Sequence, residues 1–294
     1  MSSQAQISEK TRWDLVSIVE KSANFLSGDS KEKSLPKVET KRIEIRQSYK
    51  VNVYDSSENN KYVNKTKNIV FIHGGAGQLT MWADQLGYFS KNYRVIAYDI
   101  MGHGGTDKLS AYTSMSQYAK DLEDLFKTLQ VNSENTILIG YSLGANIAYK
   151  FAQENKVDRT VLIGMHLSKS YVHMSYRTLN LIASNILSKE WPEYRDKATT
   201  IGFLSAVLSY MNERDVGPQK GFAPVLIING TKDKMTPIKE AKLLNQLIPN
   251  SNLMFFPLAS HAVQTVSDFN KVVEDFINKD SKETEFTKIK KLSK

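Results

Sequence analysis

The stretch Gly140-Tyr141-Ser142-Leu143-Gly144 constrains this chain more than any other. The apolar run Thr136-Ile137-Leu138-Ile139 before it reads as a buried strand, and Ala145-Asn146-Ile147-Ala148-Tyr149-Lys150-Phe151-Ala152 after it reads as a helix. A strand that turns this sharply into a helix lifts the central side chain above the sheet edge on a strained backbone. Strand, G-x-S-x-G, helix is the pattern of a nucleophile elbow, with Ser142 as its hydroxyl. Glycines flank the serine because side chains there would meet the neighbouring strand and helix. The five-residue pattern alone occurs by chance; its context makes it specific and says where partner groups must lie.

An activated serine needs backbone N–H donors where an oxyanion forms. One comes from the residue after it, Leu143. The other belongs to the loop after an earlier strand, and His73-Gly74-Gly75-Ala76-Gly77 follows the strand-like Asn68-Ile69-Val70-Phe71-Ile72. Glycines let that backbone approach closely. Gly75 is the expected donor and Ala76 the second choice. His73 is expected to hold the loop rather than to act as a base.

Val225-Leu226-Ile227-Ile228 reads as another buried strand, which runs through Asn229-Gly230-Thr231-Lys232 to Asp233. A carboxylate on such a turn orients a histidine and stabilises its imidazolium; the blander alternative is a turn-former bonded to its own backbone. Thr236-Pro237 then opens a helix as N-cap and first-turn proline. His261 follows the strand-like Asn252-Leu253-Met254-Phe255-Phe256 and precedes a helical pattern of Val263, Val266, Phe269, Val273 and Phe276. Of the five histidines, His73 and His103 lie in glycine loops before the elbow, and His166 and His173 follow the next strand. His261 is the one placed to serve as general base.

The chain order Ser142, Asp233, His261 and these motifs resemble the α/β-hydrolase superfamily, in particular its small intracellular serine esterases, monoacylglycerol lipases and proline iminopeptidase-like enzymes. The resemblance spans about residues 38–280. It implies an α/β fold: a mostly parallel eight-stranded sheet with helices on both faces and a helical cap. Asp99-Ile100-Met101-Gly102-His103-Gly104-Gly105-Thr106-Asp107 is similar to the superfamily's D-x-x-G-H-G-x-S loop, which implies turn-fixing roles for Asp99, His103 and Asp107. Two departures narrow the branch. Ala76 replaces the proline of the iminopeptidase H-G-G-P-G and Leu143 replaces its tryptophan, which puts peptidase activity in doubt. Ser142 stands where epoxide hydrolases and haloalkane dehalogenases carry aspartate, and the tyrosines Tyr171, Tyr176, Tyr194 and Tyr210 do not rescue the epoxide reading.

The remaining elements agree. Val38–Arg46 and Lys50–Tyr54 read as an opening antiparallel hairpin, Tyr93–Tyr98 and Asp158–Gly164 as core strands, and Tyr118, Leu122, Leu125 and Leu129 as one face of a helix. Strands alternating with helices imply a sheet covered on both faces, with ligands bound beyond the carboxyl ends of its strands. The core is expected over 38–165 and 222–280. Between them, over 166–221, the alternation stops, and a helical cap is expected there. Met81 and Trp82, after the glycine loop, fit core and pocket equally. Residues 1–37 form an N-terminal extension in which Trp13, Val16, Val19, Ala23 and Leu26 recur at helical spacing. That helix either docks on the core or lies on a membrane surface.

With 294 residues, 41% of them hydrophobic and 24% charged, the chain has the composition of a soluble enzyme domain with room for a cap. It has no cysteine, which rules out disulfides, a thiolate nucleophile and a cysteine metal cluster, and fits a reducing compartment. No apolar run approaches about 18 residues, and the N-terminus lacks a secretory apolar region and cleavage site. A cytoplasmic location is the expectation, and the sequons at Asn64 and Asn229 are then coincidental; Asn229 also lies at a buried strand end. The formal net charge is +8. Part of it sits in a basic tail over 281–294 with Lys288, Lys290, Lys291 and Lys294, which gives at most weak attraction to anionic membrane surfaces, about 1 kcal/mol per lysine. No nucleic-acid-binding pattern accompanies that charge.

The expected chemistry is hydrolysis of a small-molecule carboxylic ester, with lipid-like esters and thioesters among the candidates, through an acyl-serine, with neither cofactor nor metal. Three alternatives stay open at this point: an acyltransferase that passes the acyl group to an alcohol, a C–C bond hydrolase, and a non-catalytic receptor or scaffold. The sequence sets no oligomeric state.

Overall fold

The computed structural model describes residues 38–58, 67–75, 77–108, 113–167, 223–249 and 251–279. The extension over 1–37, nearly all of the expected cap and the basic tail lie outside the described residues.

An eight-stranded sheet organises the rest. β1 (Lys41–Arg46) and β2 (Tyr49–Asp55) form the antiparallel hairpin, and β2 pairs antiparallel with β4 (Arg94–Tyr98). From β4 onward every pairing is parallel, through β3 (Asn68–Ile72), β5 (Thr136–Tyr141), β6 (Arg159–Ile163), β7 (Val225–Gly230) and β8 (Ser251–Phe256). The spatial order is β1-β2-β4-β3-β5-β6-β7-β8.

The central strands are apolar without a break because both faces are covered. Alternate residues divide between two cores. Val70, Ile72, Leu138, Leu162 and Ile227 face one, where α2 (Met115–Thr128), α3 (Leu143–Glu154) and α4 (Ile238–Leu247) pack. Ile69, Phe71, Ile139, Tyr141, Ile163 and Ile228 face the other, beneath α1 (Ala83–Phe89) and α5 (Phe269–Asn278). Truncating any of these fully buried side chains to alanine costs about 2–5 kcal/mol.

Local chemistry sets the helix ends. The Ser114 hydroxyl caps α2 by accepting from Gln117 N at 3.2 Å. The buried stripe Tyr118, Leu122 and Leu125 then faces the sheet, while Leu129 closes the helix rather than continuing it. Three expectations need correction. β1 starts at Lys41, not Val38. The helical pattern from Val263 to Phe276 divides into a short 3-10 turn at Val263–Thr265 and α5, because Val266 is extended (ψ 139°). Thr236 does not cap α4: Pro237 occupies the N-cap position, and the Thr236 hydroxyl turns toward Asp233 instead. The 3-10 turn Leu79–Trp82 and α1 had no sequence reading of their own. Trp82 is core, fully buried with its ring 4.9 Å from that of Phe71. Met81 is half-buried and packs against the same core.

Parallel pairing puts the carboxyl ends of β3, β5, β6, β7 and β8 along one edge. The loops leaving that edge carry His73–Gly75, Ser142, Gly164, Asp233 and His261.

Candidate active site

Ser142 has φ 52° and ψ −116°, a region that costs a non-glycine residue about 1–3 kcal/mol. The surroundings enforce it. Ser142 N donates to Ile163 O on β6 at 2.7 Å, and Ser142 O accepts from Ala145 N at 2.9 Å to begin α3. The flanking glycines are needed for close approach. A Cβ on Gly144 would fall on the carbonyls of Ile72 and His73, and one on Gly140 would fall on the Gly144 carbonyl. The same contact fixes α3 against the loop after β3. There a Cβ on Gly74 would lie 3.2 Å from Ser142 Cβ, so the glycine loop runs directly beside the serine.

The expected oxyanion donors sit on these two elements. Leu143 opens α3, where helix geometry gives its N–H no intrahelical acceptor. Gly75 lies in a tight turn that Gly77 N closes on Gly74 O at 3.1 Å. Ala76 lies outside the described residues.

Asp233 and His261 meet at the same edge of the sheet. His261 Nδ1–H donates to Asp233 Oδ2 at 2.7 Å, and both side chains are buried. The other carboxylate oxygen, Oδ1, accepts from Met235 N at 2.8 Å and Thr236 N at 2.9 Å. The Thr236 hydroxyl donates to Oδ2 at 2.6 Å. Burial by itself would raise the Asp233 carboxyl, but the hydrogen bond and charge of His261, followed by the Thr236 donors, outweigh it and hold the group below its ordinary value. The loop is held in turn by Asn229, whose Nδ2 donates to Thr236 O at 2.8 Å. Asn229 is buried at 1% exposure, as its strand-end position implied.

Two contacts place the imidazole relative to Ser142. The His261 ring lies 4.9 Å, centre to centre, from the ring of Tyr141, the residue before the serine. It also fills the space above Gly164, which adopts φ +54°. A Cβ there would come within 2.8 Å of His261 Cε1, so any side chain would displace the ring. Ile163, which receives the Ser142 N–H, immediately precedes that glycine.

Sequence reading did not find Gly164, Tyr141 or Thr236. A glycine ending a core strand was the available signal for the first; ring contact and hydroxyl direction had none. Nor did it find the tie at 165–167. There the Asn146 amide, one turn after Ser142, donates to His166 O at 3.0 Å, and His166 Nδ1 lies 2.7 Å from Glu240 Oε2 on α4.

The other candidates take the structural roles expected of them. His73 donates from Nδ1 to Gly74 O at 2.6 Å and accepts at Nε2 from Ile100 N at 2.9 Å. Burial pushes it down to about 4, so it is neutral. His103 is driven to about 3, first by burial and then by His73. Asp99 accepts from Leu79 N at 2.6 Å, Gly105 N at 2.8 Å and Asn52 Nδ2 at 2.8 Å. Asp107 pairs with Arg42 and accepts from Lys50 N at 2.7 Å. Among the described residues, no three His, Cys, Asp or Glu side chains are grouped as metal ligands, and no helix is long and apolar enough to cross a membrane.

A mostly parallel eight-stranded sheet, with a serine elbow after β5 and loops of this order at its carboxyl edge, is the α/β-hydrolase fold, and the chain has that fold. The α/β-hydrolase-fold family profile matches residues 67–207. Among relatives, the Mycobacterium tuberculosis protein Rv2715 is 26% identical in an alignment of 238 positions that covers 66% of this chain and 69% of that one. Among solved structures, the bromoperoxidase from Bacillus anthracis superposes with a TM-score of 0.66 at 20% identity, covering 82% of this chain and all of the other. An esterase from Exiguobacterium antarcticum superposes at 0.64 with 19% identity, covering 79% and 96%. At those identities the likeness is one of fold.

Proposed function

We propose that this protein is a serine hydrolase that cleaves small-molecule carboxylic esters through an acyl-serine intermediate. The observation that carries the reading is the buried His261–Asp233 contact at 2.7 Å, packed against the residue that precedes the strained Ser142. An esterase among the structural neighbours supports it.

In this mechanism His261 Nε2 takes the proton of Ser142 Oγ as Oγ bonds to the ester carbonyl carbon. The Leu143 and Gly75 N–H groups receive the oxyanion; losing one such donor costs about 3–4 kcal/mol of transition-state stabilisation. The intermediate collapses by breaking the bond to the alcohol oxygen, which takes the proton from Nε2. Water then attacks the acyl carbon, gives a proton to Nε2, and the acid leaves as Ser142 regains its own. Asp233 accepts from Nδ1–H throughout, fixing the tautomer and balancing the imidazolium charge. No step draws on a metal or an organic cofactor.

The test is intact-protein mass after exposure to a fluorophosphonate, on wild type, S142A and H261A. One adduct on wild type, none on S142A and a greatly slowed one on H261A is the expected result, followed by turnover of p-nitrophenyl esters. Failure of folded wild-type protein to form an adduct, or labelling of S142A at the wild-type rate, would falsify the assignment.

A further inference from the structure

The Asp233 carboxylate is saturated with donors. Oδ1 takes two backbone N–H groups, from Met235 and Thr236, and Oδ2 takes the Thr236 hydroxyl at 2.6 Å together with His261 Nδ1–H at 2.7 Å. A hydroxyl has one proton to give. The short contact shows where Thr236 spends it. Toward His261 Nδ1, 3.3 Å away, its oxygen therefore acts as a second acceptor. Thr236 thus touches both members of the pair: it competes with His261 for one carboxylate oxygen and shares the imidazole N–H.

We propose that Thr236 is a positioning residue that sets how strongly Asp233 draws on His261, and so fixes the pH at which the imidazole becomes available as a base. This rests on the serine-hydrolase reading of the site. A carboxylate oxygen that already accepts a strong neutral donor is a weaker acceptor for the next one. With the hydroxyl present, the imidazolium is less stabilised and the base is available at lower pH. Without it, Asp233 turns its full charge on Nδ1–H, and the imidazole is held protonated to higher pH.

The surroundings make this hydroxyl the adjustable part. Thr236 is buried at 3% exposure, and its backbone is fixed by the Asn229 amide. Gly164, just past β6, lies beside the same spot, where a Cβ would be 3.3 Å from Thr236 Oγ1. The titratable groups seen against the imidazole include Asp233 and the Tyr141 phenol from β5, which burial, and then the charge of Asp233, holds neutral. Neither supplies an alternative cation to the carboxylate.

The experiment compares wild type, T236V, T236S and T236A in two readouts. The first is the pH dependence of fluorophosphonate labelling. Its acid limb should move up by about half to one pH unit in T236V and T236A and return in T236S. The second is the low-field Nδ1–H proton resonance of His261, which should move further downfield in T236V as the bond to Asp233 strengthens. That signal needs no turnover. A wild type that never labels would count against the hydrolase reading, while the resonance still tests Thr236. An acid limb and resonance that stay put in T236V, or that move equally in T236S, would overturn the proposal. So would a loss of stability in T236V with both readouts unmoved, since that is what a purely structural threonine does.

Discussion

Among the described residues, two buried histidine–aspartate pairs lie at the same edge of the sheet, and they are built to opposite ends. His73 and Asp99 are buried at 0% and 1% exposure, yet their side chains approach only to 4.0 Å, because each is committed to backbone elsewhere. His73 uses one nitrogen on Gly74 O and the other on Ile100 N; Asp99 gathers the amides of Leu79 and Gly105. His261 and Asp233 are equally hidden but bond to each other at 2.7 Å. The difference teaches that burial and residue type do not identify a base. What counts is whether the fold commits the ring nitrogens to main chain or to a carboxylate that can stabilise a positive charge.

The largest expected effect separates the two histidines. In the proposed mechanism H261A slows labelling of Ser142 by about 10⁴–10⁶-fold with little loss of stability. H73A should do the reverse. It opens a cavity and strands the Ile100 amide, costing about 3–5 kcal/mol, while labelling of the folded fraction stays near wild type. Labelling rates set beside denaturant unfolding of both variants check this, and exchanged outcomes would break the comparison.

The aspartates give the next effect. D233N keeps most of its shape but presents the wrong hydrogen-bond partner to Nδ1–H, and a loss of about 10⁴ in turnover is expected from such a change. D99N forfeits one acceptor for a buried amide, a stability cost of about 1–3 kcal/mol, and leaves the labelling rate in place. Ester turnover and thermal unfolding of the two variants are the measurements.

The contrast between these pairs was largely legible in the sequence, for a definite reason. His73, Asp99 and His103 fall in glycine loops before Ser142, whereas Asp233 and His261 follow later strands, so chain order alone set the two pairs apart. The sheet was equally legible, because β3, β5, β6 and β7 are apolar runs that only a doubly covered sheet can hide. What escaped depends on direction rather than on residue type. Thr236-Pro237 carries a helix-opening signal, but the hydroxyl reaches Asp233 because Asn229 has already fixed the Thr236 carbonyl. Gly164 reads as a strand end and becomes a socket only once His261 arrives from residues far along the chain. Trp82 could not be assigned to core or pocket until Phe71 and Tyr141 closed around it.

Acid should separate the pairs by pH window. His73 has a folded value of about 4 against 6.5 unfolded, so the unfolded chain takes up the proton first. Stability is therefore lost as pH falls from about 6.5 to about 4, by an amount on the order of 3 kcal/mol. His103, at about 3, adds to this loss and carries it on to about pH 3. Asp233 is held below its ordinary 3.8, so its contribution is complete above that value and is lost only as pH falls through the lower folded value. Urea midpoints measured at steps from about pH 7.5 to about pH 2 should therefore begin to fall near 6.5 and fall further below 3.8 as Asp233 is protonated. H73Q should lessen the fall above about pH 4 and D233N the part below 3.8; a fall above about pH 4 unaffected by H73Q would contradict a neutral, buried His73.

The smallest effect concerns an ion pair that looks important and should not be. Arg42 and Asp107 pair across the start of the sheet and the end of the Asp99 loop, but their side chains are 49% and 32% exposed. Solvent screens such a pair, and its worth is about 1 kcal/mol or less. Asp107 does not depend on it, since its other oxygen accepts from Lys50 N at 2.7 Å and its backbone N donates to Lys50 O at 2.9 Å. Arg42→Ala should therefore leave the unfolding midpoint almost unchanged, and lower it less as salt is raised. Asp107→Ala, which strands the Lys50 amide at the head of β2, should cost more than Arg42→Ala at every salt concentration. If the arginine variant proved the worse of the two, the loop that holds His73 and His103 in place would be fixed by surface charge rather than by its backbone bonds.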